Sequence, residues 1–173
     1  MSRERLTTPA RWRGQILERK KMASQQETIT DHIKKEHRKT DEEIAELEKR
    51  VKGRRNDELD PVFVPMKQEL LGHMAAEEKL LYPPLEKEKE LKEKIADALK
   101  EHGEIRKHLD HLTSGGKMAE AEWMRHLQEM KQKITHHVQD EEKEILPAAE
   151  RMFDRQKLME LGEKFERVEK EYK

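Results

Sequence analysis

Apolar residues recur along the chain at helical spacing. Between residues 26 and 51, Ile29, Ile33, Ile44, Leu47 and Val51 share one stripe with His37, with a polar gap at Thr40 and Asp41. Gly53 predicts a stop, and the short stretch 53–59 predicts an antiparallel neighbour. Asp60-Pro61 predicts the next start, an N-cap followed by proline at the first helical position. That second stripe holds Val62, Met66, Leu70, His73, Glu77, Leu80 and Leu81, and Pro83-Pro84 should end or kink it. A third helix is expected from about 88 to 112, with Leu91, Ile95, Ala98, His102, Ile105, Leu109 and Leu112 inward. Ser114-Gly115-Gly116 breaks the pattern. A fourth helix, about 118 to 146, turns Trp123, Leu127, Met130, Ile134, His137, Glu141 and Ile145 inward. Residues 154–172 carry Leu158, Leu161, Phe165 and Val168 and read as a fifth helix packed outside the others. No segment alternates with a period of two. The expected fold is all-α: an antiparallel up-down four-helix bundle with an additional C-terminal helix and a short basic N-terminal arm.

The arm is residues 1–24 and the bundle 25–173. The arm sets Arg3, Arg5, Arg11, Arg13, Arg19, Lys20 and Lys21 against Glu4 and Glu18, and Thr8-Pro9 could open a short helix carrying Trp12 and Ile16. It reads either as a tail, ordered poorly or laid on the bundle, or as a docking segment. Composition then narrows the function. Charged residues make up 43% and hydrophobic ones 33% of the 173, values shared by disordered chains and long-helix proteins; the stripes decide for helices. A formal net charge of −1 gives no field favouring nucleic acid or membrane. The absence of Cys excludes disulfides, thiolate zinc sites and cysteine-held iron–sulfur clusters. No apolar run approaches the length of a membrane span, so a cytoplasmic location is expected.

One pattern occurs twice. Glu36-His37 precedes His73-x-x-x-Glu77-Glu78, which runs on to Tyr82-Pro83; Glu101-His102 precedes His137-x-x-x-Glu141-Glu142, which runs on to Leu146-Pro147. His37, His73, Glu77, His102, His137 and Glu141 all fall on apolar stripes. Burying such groups is costly unless each finds a partner. A metal satisfies imidazole nitrogens and carboxylate oxygens together. Residues four apart on a helix lie roughly 6 Å apart along its axis, so a His-x-x-x-Glu pair can reach one ion or let its Glu bridge two. Nitrogen and oxygen ligands suit iron, manganese or zinc alike.

These motifs resemble the hemerythrin-like family, or HHE cation-binding domains, over about residues 28–170. The most specific pieces are Lys35-Glu36-His37-Arg38, the two His-x-x-x-Glu-Glu blocks with their prolines, and Glu101-His102-x-x-Ile105. Leu158 to Phe165 also looks like the family's closing helix. The resemblance implies two non-haem, carboxylate-bridged iron ions, with His37, His73, His102 and His137 as terminal ligands and Glu77 and Glu141 bridging. It implies a small-molecule ligand such as O2, NO or a small anion, or a response to iron or redox state. A diiron enzyme acting on peroxide or NO, or a non-redox zinc or single-metal bundle, remains the alternative. The oxygen-carrying members have another His where Arg106 stands here, and a guanidinium does not ordinarily ligate iron. Glu78, Glu142 or water could complete the coordination, and Glu36 and Glu101 stand nearby as supporting groups. His32, His108 and His111 are expected to face away from the interior, His136 to lie beside the site, and His126 to point inward too far along its helix to join it. The methionines read as core filler, the run 86–90 as a solvated helix face, and no surface demands an oligomer.

Overall fold

The computed structural model describes residues 27–52, 60–113 and 118–173. The basic arm with its Thr8-Pro9 segment, the stretch 53–59 and the Ser114-Gly115-Gly116 break lie outside the described residues. Among the described residues there is no strand, and the helices are α1 (Ile29–Lys52), α2 (Asp60–Ala76), α3 (Tyr82–Leu85), α4 (Lys92–Thr113), α5 (Glu120–Asp140), α6 (Leu146–Met152) and α7 (Arg155–Lys170). Two π-helical turns, Glu77–Leu81 and Glu141–Ile145, join α2 to α3 and α5 to α6 without a break. No described helix is long and apolar enough to cross a membrane.

α1 opens on a reciprocal cap that the sequence carries as Thr28-x-x-Asp31. The Asp31 amide donates to Thr28 Oγ1 at 3.2 Å, and the Thr28 amide and hydroxyl donate to Asp31 Oδ2 at 3.3 and 2.6 Å. α7 opens on Asp154, whose carboxylate accepts from the Lys157 amide at 2.8 Å. α4 begins at Lys92, four residues later than expected. The run 86–90 forms turns rather than a helix face, although it is exposed as expected.

The prolines act differently from the expectation that Pro83-Pro84 would end or kink the second helix. They sit in the first turn of α3, and Pro147 sits likewise in α6, which continues to Met152. Proline has no N–H to give the carbonyl four residues back. The ladder slips by one just before it: the Tyr82 amide bonds to the Glu77 carbonyl and the Leu146 amide to the Glu141 carbonyl, each five residues apart. Such wide turns recur at functional sites. Here they rotate the following residues inward. Leu81 and Tyr82 are buried, whereas Leu80 from the expected stripe is only half-buried. At the start of α2 the fully buried residue is Phe63, packed on Trp123 with ring centroids 5.9 Å apart, rather than Val62.

α1, α2, α4 and α5 form a closed ring in which α1 touches α2 and α5, and α4 touches α5 and α2. Their apolar side chains make two separate clusters. One gathers Ile33, Leu81, Tyr82, Ile95 and Ile145; the other gathers Ile44, Met66, Leu70, Ile105, Leu127 and Ile134. α1 and α4 run from the first cluster to the second, and α2 and α5 run back, which is the antiparallel up-down order. Met66, Met74 and Met130 are buried core, as expected. α7 lies against α1 and α2. It is more than a cover, since Phe165 is fully buried and its ring meets His73 edge-on at 5.5 Å.

Close approach of α7 depends on Gly162. A Cβ there would fall 3.1 Å from the Ile29 nitrogen and 3.2 Å from the Glu27 carbonyl oxygen, both backbone atoms. Gly162→Ala should cost about 1–3 kcal/mol, as overpacking does. Gly103, in α4, has open space around its missing Cβ, so Gly103→Ala should add about 0.5–1 kcal/mol through helix propensity. Urea unfolding of the two variants checks the contrast in sign.

Candidate metal centre

The six inward groups form the layer between the two apolar clusters. His37, His73, Glu77, His102, His137 and Glu141 are all buried, and Glu77, His102 and Glu141 are 0% exposed. α1 and α4 each supply one His. The last turns of α2 and α5 each supply another, and the π turns begin on Glu77 and Glu141. The structure therefore brings together every residue of the expected set.

Each imidazole is held by its Nδ1. His73 donates to Glu36 Oε2 at 2.8 Å, and His137 to Glu101 Oε2 at 3.3 Å. His102 donates to Glu78 Oε1 at 2.8 Å, and His37 to Glu142 Oε1 at 2.9 Å. The pairing follows the sequence repeat: the Glu before a lone His serves the next helix's His, and the second Glu of a block serves a lone His. Glu78 and Glu142 therefore hold imidazoles rather than complete a coordination sphere. Arg106 stays out of the layer and binds Glu78 Oε1 at 2.8 Å, steadying the carboxylate that steadies His102.

With Nδ1 occupied, every Nε2 points inward. His73 Nε2 is 2.9 Å from Glu77 Oε1; His102 Nε2 is 3.3 Å from Glu77 Oε2 and 3.2 Å from His137 Nε2. His37 Nε2 is 3.3 Å from Glu141 Oε2, and His137 Nε2 is 3.8 Å from the same oxygen. At the buried His37 Nε2, Glu77 Oε1 and Glu141 Oε2 these are ion-pair contacts without hydrogen-bond geometry. Unsatisfied buried atoms of this kind are rare and need an explanation. Within the layer two groups have the spacing for a cation: His37, His73, Glu77 and Glu141, and Glu77, His102 and His137. Glu77 belongs to both.

The charges point the same way. Burial works to lower the His73 imidazole, but the carboxylates of Glu77 and Glu36 outweigh it and hold it well above its ordinary value. Burial would raise Glu77, yet His73 and His102 hold it well below the carboxylate range. His37 and His102 are also raised: the nearby carboxylates overcome burial. His37, His73 and His102 thus favour holding protons where a cation would sit, and loading a metal would release them.

Tyr82, which the motif includes without a role of its own, enters the layer through the wide turn after Glu77. Its hydroxyl donates to Glu141 Oε1 at 3.1 Å and lies 3.5 Å from both Glu77 Oε2 and His102 Nε2. Burial, with the charges on Glu141 and Glu77, holds its proton well above the ordinary phenol range. On the opposite side an enclosed cavity of ≈ 10 Å³ is lined by His37, His73 and His137 and walled by Leu70, Met74, Ile105, Ile134 and Val138, with Thr40 at its edge.

The remaining histidines divide. His136 is exposed, rather than beside the interior, and donates to Glu101 Oε1 at 2.6 Å, one step beyond His137. His126 is buried and stacks on His111 with centroids 4.9 Å apart and His108 close by, all at the other end of α4 and α5. His108 is half-buried there, and His111 is exposed as expected. His32, expected to face away, is only 14% exposed and bonds to Glu169 at 2.9 Å.

A bundle of four antiparallel helices crossed by a buried layer of four imidazoles and two carboxylates is the architecture of a cation-binding helical protein. The chain belongs to the hemerythrin HHE cation-binding domain family, whose model matches residues 28–149. No significant match was found among curated proteins or among solved structures.

Glu101→Ala and Glu142→Ala each free one imidazole from its carboxylate. Each should weaken metal binding by about 10–100-fold, while His111→Ala should leave it unchanged. Competition of each purified variant against a chromogenic chelator checks this.

Proposed function

We propose that the protein holds two non-haem iron ions in the buried layer and uses the pair to bind O2, NO or a small anion, or to report iron or redox state. On this reading His37, His73, His102 and His137 would hold the ions as terminal ligands, and Glu77 and Glu141 would be the carboxylates shared between them. Residues 25–173 form the working domain, and the basic arm stands outside it. The observation that carries the reading is Glu77, the carboxylate common to both candidate cation groups. The ions would supply Lewis acidity and one-electron chemistry when bound. The chain supplies the rest: the Nδ1 hydrogen bonds orient the rings, the two apolar clusters exclude bulk water, and the water-sized cavity beside His37, His73 and His137 marks where the aliphatic wall would give way to a small guest.

Tyr82 supports a second reading, a diiron enzyme acting on peroxide or NO. Its hydroxyl lies against Glu77, Glu141 and His102 and keeps its proton. A buried donor at that position is what proton-coupled turnover requires and what simple binding does not. Tyr82→Phe separates the two: ligand affinity with peroxide consumption lost by tenfold or more supports turnover, and both unchanged supports binding.

Iron-loaded protein should bind azide or NO with a change in its near-ultraviolet charge-transfer bands, and Val138→Phe, which fills the cavity, should weaken that binding at least tenfold with iron content unchanged. Stoichiometric zinc in the purified protein with no such bands would overturn the iron reading. Removing the metal should lower the melting temperature by about 10 °C, the effect of losing a ligand whose Kd lies far below its concentration. An unchanged melting temperature after verified removal would count against any buried metal.

A further inference from the structure

We propose that His32, Glu36 and Glu169 form a separate site for a divalent first-row transition-metal ion, on the solvent side of His73. His32 Nε2 lies 2.9 Å from Glu169 Oε2 and 3.5 Å from Glu36 Oε1. The three residues offer ligand atoms all within 4.8 Å of one another. Glu169 is 4% exposed, and its buried second oxygen, Oε1, accepts from no N–H or hydroxyl, with the Glu36 carboxyl as the polar group beside Glu169. Two carboxylates and one imidazole meeting around such an oxygen form a mixed nitrogen–oxygen donor set suited to Mn2+, Fe2+ or Zn2+.

Three features show how the fold builds this group. Gly72 lets α7 come close, since a Cβ there would sit 3.1 Å from Glu169 Cα. Glu27 Oε2 stands 3.6 Å from His32 Nδ1, an ion-pair contact on the ring's other nitrogen. Glu36 divides its oxygens: Oε2 accepts from His73 Nδ1 at 2.8 Å, leaving Oε1 on the His32 side. An ion here would share Glu36 with the central layer without displacing any of its six residues. Access is from outside, because the His32 and Glu36 side chains are 14% and 20% exposed whereas the central carboxylates are at 0%. Glu169 lies in α7, beyond the residues 28–149 that the family model matches.

The proposal stands apart from the paired-iron reading, since neither His32 nor Glu169 belongs to the central layer. Iron-loaded wild type, His32→Gln and Glu169→Gln are dialysed to equilibrium against 50 µM Mn2+ (about the concentration a site of modest affinity needs), and iron and manganese are counted per chain. The expected result is one metal ion fewer in each variant, with the iron spectrum unchanged. Equal totals in all three proteins would overturn the proposal, whatever the total. A wild type holding one ion and variants holding none would support it while sinking the paired-iron reading.

Discussion

Six ionisable side chains occupy the middle of an apolar core, and the rest of the structure is arranged around that constraint. A lone buried carboxylate is costly enough that a protein ordinarily neutralises it or pairs it. Here two carboxylates and four imidazoles share one layer, and the apolar residues split into a cluster on either side of it. The ring nitrogens facing outward are all tied to partly exposed carboxylates, so Glu36, Glu78, Glu101 and Glu142 link the polar layer to solvent. What remains unsatisfied points to the centre, where a cation would resolve it.

The approximate twofold repeat explains both the economy of this design and its one break. The two His-x-x-x-Glu-Glu blocks give matching π turns, matching prolines and matching hydrogen bonds. The break falls five residues after Glu77 and Glu141: Tyr82 in one half, Leu146 in the other. The same backbone slip turns both inward, but only one brings a hydroxyl. One face of the layer is therefore polar at Tyr82, while the opposite face, at the cavity, is walled by aliphatic side chains. Arg106 adds a second asymmetry, since it ties down Glu78, whereas Glu142 in the other half accepts from His37 without an arginine beside it in the described structure.

Much of this was legible from residue spacing. Stripe periodicity placed the four helices and all six central residues, because a 3.6-residue period fixes which positions share a face. It failed where the period changes. Leu80 was placed inward and Tyr82 given no role of its own because a π turn carries one extra residue and rotates everything after it. Pro83 and Pro147 mark those turns, yet their usual meaning is termination, and only the shifted hydrogen bonds show why the helix survives. The partners of His32 were illegible for another reason. Glu169 lies 137 positions away, and no periodicity within one helix reports a contact made by another. The choice of carboxylate for each imidazole was hidden in the same way: every such bond crosses between helices.

The central claim is that two metal ions, not protons alone, balance the buried layer. X-ray absorption at the iron edge of the loaded protein tests it most directly. The account predicts a first shell of nitrogen and oxygen only, imidazole scattering from about two rings per iron, and an iron–iron vector near 3.5–4 Å. A spectrum with imidazole scattering but no metal–metal vector would contradict the paired centre, and one without imidazole scattering would contradict the site itself.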